Sequence, residues 1–302
     1  MIDSLSALPC FTQVEKISII ASGLSQSCFK VYTDNKVYFA KTITDNTEVS
    51  VTECAAKYGL SPTVIYHDKN WLICNFIDAY NLAQSALATK EKIQHAMMLM
   101  VQCHQLNSKP AELAVKEIIN SLVNKSHYSI LQQTALLQFA ELILPLLNNS
   151  KNNVCCHGDL NFSNVLMNQA KNVWLVDYEC ACTAPIEYDL AMFIAVNNLD
   201  SDEITIIIEQ YEMQSSVNVD PLLLNHYLLF CYFINGLWYF NTYHQKVLVE
   251  EMTEDKAVLL KHAQKQWYGL HSSLKVNNSP LLSRLSSKLT NIFTTLNFSN
   301  QT

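Results

Sequence analysis

The sequence predicts an α+β fold with two lobes, a small antiparallel β N-lobe at residues 1–76 and a larger, mainly α C-lobe at 77–302 that contains a β insert. Three observations lead to this prediction. Short strand-like runs separated by turns fill the first quarter of the chain. Apolar residues spaced three and four apart dominate from about residue 89 onward. Strand character returns once, between residues 153 and 177.

The predicted N-terminal lobe consists of five strands and one helix. The strand-like runs are 16–21, 28–33, 37–43, 63–67 and 71–76. Asp34 and Asn35 are expected to form a hairpin turn between the second and third runs. Thr47 is expected to cap a helix that ends near Tyr58, because Gly59 stands where a helix C-terminal glycine is favoured.

The predicted C-terminal lobe is helical on both sides of its β insert. Amphipathic spacing predicts helices at 90–106 and 129–147, and helices fill the chain again from residue 186. The insert consists of strand-like runs at 154–156, 165–167 and 173–176, with 168–172 as a hairpin loop.

Composition excludes several classes of protein. The chain has 302 residues, a net charge of −7 and a single arginine, Arg284, which argues against a nucleic-acid partner. No apolar run is long enough to cross a membrane, and the start of the chain lacks the pattern of a signal peptide. We therefore expect a soluble cytoplasmic protein. The ten cysteines are interpreted as reduced, mostly buried thiols, without the ligand spacing of a zinc site.

The most informative stretch is HGDLNFSN at 157–164, followed after a hairpin by Asp177. An aspartate five residues before an asparagine, on a loop that leaves a strand, is the spacing that kinases use for a base and a metal ligand. The sequence therefore predicts Asp159 as the base, and Asn164 and Asp177 as oxygen ligands of Mg²⁺. His157 is expected to orient the loop by hydrogen bonding. Ordinary turn residues are the alternative interpretation of these positions.

The motifs HGDLNFSNVL and VDYECA resemble those of the choline kinase, thiamine kinase and aminoglycoside phosphotransferase group, over roughly residues 15–245. This resemblance implies a protein-kinase-like fold, ATP as the phosphate donor and Mg²⁺ as the metal. It implies the same roles for Asp159, Asn164 and Asp177. It also implies that Asp189, in the segment Asp-Leu-Ala, braces the loop without touching the substrate.

The nucleotide is expected to bind the N-terminal lobe. The loop with Ser22, Gly23 and Ser25 resembles a phosphate-covering loop, although a plain β-turn explains it equally well. Lys41 occupies the place of the kinase lysine that pairs with nucleotide phosphates, and a surface lysine is the alternative.

Two glutamates, Glu48 and Glu53, qualify as the carboxylate partner of Lys41, and Glu48 fits better. Backbone groups of Asn75, Phe76 and Ile77 are expected to read the adenine edge.

The acceptor side is open at this stage. Glu179 could orient a metal-bound water or face a cationic substrate, and a structural hydrogen bond within the loop explains it as well. Helical spacing puts Tyr232, Tyr239 and Tyr243 on one face with Trp238 beside them. Aromatic faces bind quaternary ammonium groups, but such rings more often pack the core.

Acidic positions away from these motifs are interpreted as solvated surface. They are Asp45, Glu187, Asp202 and Glu203.

The sequence thus predicts an ATP- and Mg²⁺-dependent kinase of a small alcohol, with a choline- or thiamine-type acceptor. An aminoglycoside phosphotransferase is the near alternative, and a non-catalytic nucleotide-binding pseudokinase is an alternative from another class. A protein kinase is disfavoured because the chain lacks the motifs G-x-G-x-x-G, D-F-G and A-P-E. The oligomeric state is not predicted.

Overall fold

The structure is a computed structural model that describes residues 1–20, 27–124, 128–147, 153–248 and 254–275. The chain divides into two compact units. The first unit contains residues 1–111, 154–183 and 213–215, and the second contains the rest. The motifs of the β insert that carry the predicted site residues therefore belong to the same unit as the N-terminal strands. The functional boundary predicted between residues 76 and 77 stays a prediction.

An antiparallel sheet of five strands forms the start of the first unit, as the strand-like runs predicted. Its strands stand in the order β1-β2-β3-β5-β4. They are β1 (Val14–Ile20), β2 (Cys28–Thr33), β3 (Val37–Thr42), β4 (Val64–His67) and β5 (Trp71–Asn75).

The register of this sheet decides which side chains share a face. Lys41 stands opposite Cys28 on β2 and Leu72 on β5, so these three side chains share one face. The other face is covered by the short helix α1 (Ile2–Ser6) and the residues after it. The buried residues of this cluster, from the sheet face and the segment that covers it, are Leu5, Leu8, Phe29, Val31, Ala40, Trp71 and Ile73. One face of the sheet is therefore closed by apolar packing, and Lys41 lies on the opposite face.

Helix α2 (Asn46–Lys57) follows β3 and carries Glu48 in its first turn. The prediction that Thr47 caps it is wrong, because the side chain of Asp45 accepts the Thr47 N–H at 2.7 Å and Asp45 is the N-cap. An aspartate at that position satisfies a backbone N–H that has no partner within the helix. Gly59 has a φ of +72° after the helix end, as predicted for a C-terminal glycine.

The remainder of the first unit holds the β insert. The elements of this remainder are β6 (Tyr80–Asn81), α3 (Thr89–His104), β7 (Asn153–Cys156), β8 (Val165–Met167), β9 (Val173–Leu175) and β10 (Cys182–Pro185). The last two residues of β10 belong to the second unit. Strands β6, β8 and β9 form one small sheet, and β7 pairs with β10. The three predicted strands of the insert are thus confirmed, and the loops between them carry the predicted site residues.

The second unit is helical in the part that the structure describes. Its helices are α4 (Val115–Asn124), α5 (Ile130–Ile143), α6 (Ile186–Asn197), α7 (Ser201–Ser215), α8 (Pro221–Leu248) and α9 (Glu254–Lys275). The last three residues of α7 belong to the first unit. Helices α8 and α9 approach closely where each has a glycine. A Cβ on Gly236 would lie 2.8 Å from the Trp267 ring, and one on Gly269 would lie 2.6 Å from the Tyr232 ring. No helix among the described residues is long and apolar enough to span a membrane.

Glu187, in the first turn of α6, does not lie on the surface as predicted. Its carboxylate is buried and accepts the Asp220 N–H at 3.0 Å. This hydrogen bond compensates for removing the charge from water.

Candidate active site

The HGD loop, residues 157–164, connects β7 to β8, and its second residue is a glycine that no other residue can replace without strain. Gly158 has a φ of +78°, and a Cβ on it would lie 2.1 Å from the carbonyl oxygen of Cys180. Since L side chains disfavour this backbone region and no space is available, the loop depends on this glycine. The loop is thereby held against the segment after Asp177.

His157 links the HGD loop to the end of β9. Its Nδ1 accepts the Asp159 N–H at 3.3 Å, and its Nε2 lies 3.0 Å from the carbonyl oxygen of Val176. Because Nδ1 accepts, the proton of the neutral ring is on Nε2, which donates to that carbonyl. The ring is fully buried and packs 4.9 Å from Tyr178. These contacts join the HGD loop to the end of β9, and the orienting role of His157 stays a prediction.

The carboxylate of Asp159 is partly buried and is held by amide groups. Asn164 Nδ2 donates to the Asp159 carbonyl oxygen at 2.9 Å and lies 3.4 Å from Oδ2. Burial, together with the nearby charge of Asp177, raises the pKa of Asp159 to about 7. The amide hydrogen bonds oppose this rise. Asp159 therefore gains and loses its proton near neutral pH.

Asn164 and Asp177 present oxygen atoms at the ends of neighbouring strands. Asn164 Nδ2 is engaged with Asp159, so its amide oxygen is the end that remains for another ligand. The Val176 N–H donates to the Asn164 carbonyl oxygen at 3.0 Å and ties the two strand ends together. Asp177 itself has a φ of +74°, a left-handed conformation that aspartate tolerates better than most residues.

Lys41 is buried among carboxylates. Its Nζ lies 2.7 Å from Glu48 Oε1 and 3.6 Å from Glu179 Oε2, and it also contacts Asp177 Oδ1. Burial by itself would lower the pKa of Lys41, but the charges of Asp177 and Glu48 outweigh it and hold the pKa above its usual value. The ammonium group is therefore charged at every physiological pH.

The structure also decides between the two candidate partners of Lys41. Glu48 contacts Lys41, whereas Glu53 lies on another face of α2, 3.3 Å from His67 Nε2. Since Glu48 and Glu53 are five residues apart, the helix turns one toward the sheet face with Lys41 and the other away from it.

The donor set fits the Mg²⁺ that the resemblance of the motifs implies. Asn164 and Asp177 offer an amide oxygen and a carboxylate, with Glu179 two residues further along the chain. The side chains of Asp177 and Glu179 are 34% and 24% exposed, so a metal with bound waters can reach them. Hard oxygen ligands of this kind suit Mg²⁺, which retains several waters and substrate phosphate oxygens.

The predicted nucleotide contacts are only partly described. Ser22, Gly23 and Ser25 lie outside the described residues. The Asn75 and Phe76 N–H groups already donate to Thr63 and Val37 carbonyl oxygens, at 2.9 and 3.2 Å. Asn75, Phe76 and Ile77 were predicted to read the adenine edge. Among the described residues, the N–H of Ile77 is the one of these three that donates no backbone hydrogen bond.

Two residues near the site escaped the sequence-based prediction. Lys30 lies two positions after Cys28 on β2, hence on the same face as Lys41, and its Nζ is 3.9 Å from the centre of the Phe76 ring. Alternate residues of a strand lie on the same face, so the positions 28, 30 and 32 of β2 could have revealed Lys30 from the sequence. The second residue is Asn161, which contacts the Asp159 carboxylate at 3.3 Å.

The predicted acceptor residues on α8 belong to the second unit. Tyr239 stacks on His262 with ring centres 5.1 Å apart, and Trp238 meets the Tyr239 ring edge-on at 5.1 Å. Tyr243 packs edge-on against its neighbour His244. Tyr232 is buried against α9 and is a core residue. The assignment of Trp238, Tyr239 and Tyr243 to the acceptor stays a prediction.

Asp189 also lies in the second unit. It is fully buried in α6. Its predicted bracing of the HGD loop stays a prediction.

Comparison with known proteins identifies the family. The family of choline/ethanolamine kinases matches residues 17–278 of the chain. The chain belongs to the choline/ethanolamine kinase family. A probable choline kinase 2 of Arabidopsis thaliana is 25% identical over 157 residues, which cover 48% of this chain and 44% of the relative. The match thus spans less than half the length of that relative. The family is one of small-molecule kinases, so the predicted class of enzyme is confirmed.

Solved structures confirm the predicted fold. The choline kinase LicA of Streptococcus pneumoniae superposes with a TM-score of 0.70 at 18% identity, covering 89% of this chain and 97% of that one. A spectinomycin phosphotransferase in complex with ADP and spectinomycin superposes with a TM-score of 0.58 at 16% identity, covering 92% and 94%. The fold is therefore the α+β, two-lobed protein-kinase-like fold.

Proposed function

We propose that the protein transfers a phosphoryl group from ATP, with Mg²⁺, to the hydroxyl of a small cationic alcohol of the choline type. The observation that carries this proposal is the gathering of Lys41, Asp177 and Glu179 within one compact unit, next to the loop that holds Asp159. Phosphoryl transfer depends mainly on positioning and on neutralising charge, and this arrangement serves both.

Asp159 is proposed as the base that takes the proton of the attacking hydroxyl. Its pKa near 7 suits a base that works at physiological pH. Among the described residues, the side-chain amides of Asn161 and Asn164 contact the Asp159 carboxylate, and both contacts are to Oδ2. Oδ1 is thus the oxygen that remains to accept the proton of the acceptor.

The oxygen atoms of Asn164 and Asp177 would hold Mg²⁺, which when bound neutralises negative charge on the nucleotide phosphates. Lys41 supplies a second positive charge for those phosphates. In the structure Lys41 is held by Glu48 from one side and contacts Asp177 from the other. Glu48 keeps the ammonium group in place, because burial of an unpaired lysine side chain would be unfavourable.

ATP as the nucleotide is supported by a solved structure of the family. LicA in complex with AMP superposes on this chain with a TM-score of 0.68 at 19% identity, covering 90% of this chain and 96% of that one. The adenine would lie on the sheet face that carries Lys41 and Lys30, near Ile77.

The choline-type acceptor is supported by family membership and by charge. The net charge of −7 and the partly exposed carboxylate of Glu179 favour a cationic substrate over an anionic one. Thiamine- and aminoglycoside-type acceptors share a positive charge and a hydroxyl, so the experiment must include them.

Release of ADP is the measurement that tests this function. Purified protein is incubated with ATP, with and without Mg²⁺, and with choline, ethanolamine, thiamine, aminoglycosides or simple sugars, and phosphorylated products are identified by mass spectrometry. We expect saturable, Mg²⁺-dependent turnover of choline or ethanolamine. Turnover of an aminoglycoside alone would replace the acceptor in the proposal. If calorimetry shows that ATP binds and no acceptor is phosphorylated, the non-catalytic alternative is favoured.

A further inference from the structure

Asn161 lies between the proposed base and the proposed metal ligand and contacts both. We propose that Asn161 is a positioning residue whose amide nitrogen sets the orientation of the Asp159 carboxylate, while its amide oxygen holds the backbone of Asn164. This inference rests on the proposed function, in which Asp159 is the base and Asn164 is a metal ligand. It gives the side chain of Asn161 two separate tasks in that site.

The oxygen of the Asn161 amide is fully engaged by the backbone. It accepts the Ser163 N–H at 2.8 Å and the Asn164 N–H at 3.2 Å, and so caps the short 3₁₀ turn that carries Asn164. The Asn161 carbonyl oxygen accepts the same Asn164 N–H at 3.0 Å. Two hydrogen bonds to one oxygen fix the rotation of the planar amide group.

The nitrogen of the same amide is directed at Asp159 as a consequence. Asn161 Nδ2 lies 3.3 Å from Asp159 Oδ2 and 3.4 Å from the Asp159 carbonyl oxygen. Asn164 Nδ2 makes a parallel set of contacts to the same two oxygens, at 3.4 and 2.9 Å. Oδ2 of Asp159 thus lies between two amide nitrogens. These two contacts fix the rotation of the carboxylate and hence the direction of Oδ1.

Side-chain chemistry explains why asparagine serves both tasks. Aspartate and serine accept N–H groups at a helix start about as well, so either could cap the turn. Neither offers a nitrogen donor to Asp159, and an aspartate would place a second carboxylate against it. Both tasks can therefore be separated by substitution.

The test compares Asn161→Ser, Asn161→Asp and Asn161→Ala in the full chain, with thermal denaturation and steady-state kinetics. For Asn161→Ser we expect an unchanged thermal midpoint and unchanged KM for ATP. We expect kcat to fall by about 10- to 100-fold, because misplacing a reacting group by about 1 Å can cost about 100-fold. Asn161→Asp should lose more of kcat, and Asn161→Ala should lose both kcat and thermal stability.

Asn81 provides a matched control. Its side chain also caps a 3₁₀ turn, accepting the Gln84 N–H at 3.0 Å, and no carboxylate of the described residues is hydrogen-bonded to it. Asn81→Ser should therefore leave kcat unchanged.

A merely structural role for Asn161 predicts a different pattern. In that case Asn161→Ser would restore the kcat that Asn161→Ala loses, and this result would overturn the proposal. If Asn161→Ser lowers the thermal midpoint, the kcat of Asn161→Asp becomes the deciding measurement. A wild-type kcat in Asn161→Asp would also overturn the proposal. Wild-type protein that phosphorylates no acceptor would contradict the proposed function instead, which keeps the two failures distinct.

Discussion

Buried polar side chains are used differently in the two compact units. In the first unit Lys41 is bonded to both Glu48 and Asp177, and Asp159 lies close enough for its pKa to respond to Asp177. In the second unit the buried amides of Gln266 and Asn241 donate to backbone carbonyl oxygens of Ala195 and Leu122, at 2.8 and 2.7 Å.

This difference teaches how to recognise a site among buried polar groups. An amide that donates to a helix carbonyl satisfies one backbone group and has no reason to change partner. Charged groups that are bonded to each other can exchange those partners for a metal or phosphate of similar charge. Mutual pairing of charges, more than burial as such, distinguishes the candidate site.

The largest expected effect comes from Asp159→Asn. The variant keeps the size of the side chain but removes the proposed base, so we expect kcat to fall by about 10²- to 10⁴-fold, the usual contribution of general base catalysis. ATP affinity, measured by calorimetry, should be nearly unchanged. A variant with near-normal turnover would remove Asp159 from this role.

The buried charge pair gives the largest effect on stability. Lys41→Met leaves Glu48 buried without its cation, which we expect to cost about 3–5 kcal/mol in the free energy of unfolding and to abolish turnover. Gln266→Leu in the second unit removes one hydrogen bond from the Ala195 carbonyl, which keeps the bond from the Asn198 N–H. It should therefore cost only about 0.5–1.5 kcal/mol and should leave the chemistry intact.

Chemical denaturation of Lys41→Met combined with Glu48→Gln checks the cause. Stability should partly return in this double variant, while activity should stay absent. Full activity in Lys41→Met would contradict the proposed role of the lysine.

Two glycines with similar backbone angles allow a matched comparison. Gly158→Ala combines a left-handed conformation, which costs about 1–2 kcal/mol for an L residue, with overlap against the Cys180 carbonyl. Gly59→Ala has the same conformational cost, but no atom lies within 4 Å of its new Cβ. Thermal denaturation should therefore show a larger loss for Gly158→Ala, together with lower kcat. Equal losses would show that the close approach to Cys180 is unimportant.

A smaller effect is expected from the aromatic rings of the second unit. If Tyr239 contacts a cationic acceptor, Tyr239→Leu should raise the KM of the acceptor by about 2- to 30-fold, which corresponds to the ~0.5–2 kcal/mol of a cation–π contact. Tyr268→Leu is the control, since Tyr268 is 76% exposed on α9. An unchanged KM would assign Tyr239 to packing against His262.

The smallest expected effect is a shift in pH dependence. Asp159 must be deprotonated to accept a proton, so kcat/KM should fall as the pH drops through its pKa. The charge of Glu179 helps to raise that pKa, so Glu179→Gln should move the acidic limb of the profile to lower pH. The exposed Glu209→Gln should not move it. A shift to higher pH would contradict the electrostatic origin of the raised pKa.

Much of the first unit could be predicted because its signals are local. Strand runs and turns are read from neighbouring residues, and the five-residue step from Asp159 to Asn164 lies within one loop. The prediction for Thr47 failed because Asp45, Asn46 and Thr47 are all residues that can cap a helix, and the choice among them depends on a small difference in free energy. Glu187 was wrongly assigned to the surface because its hydrogen-bond partner, Asp220, is 33 residues away.

The sequence by itself determined the order of the elements, the family motifs and the position of the proposed base and metal ligands, since these depend on short spacing along the chain. Only the tertiary structure decided that Glu48 and not Glu53 contacts Lys41, and that Lys41 reaches Asp177, 136 residues away. The same holds for the raised pKa of Asp159. Burial and charge proximity arise when distant segments pack together, and no local pattern encodes the distances that result.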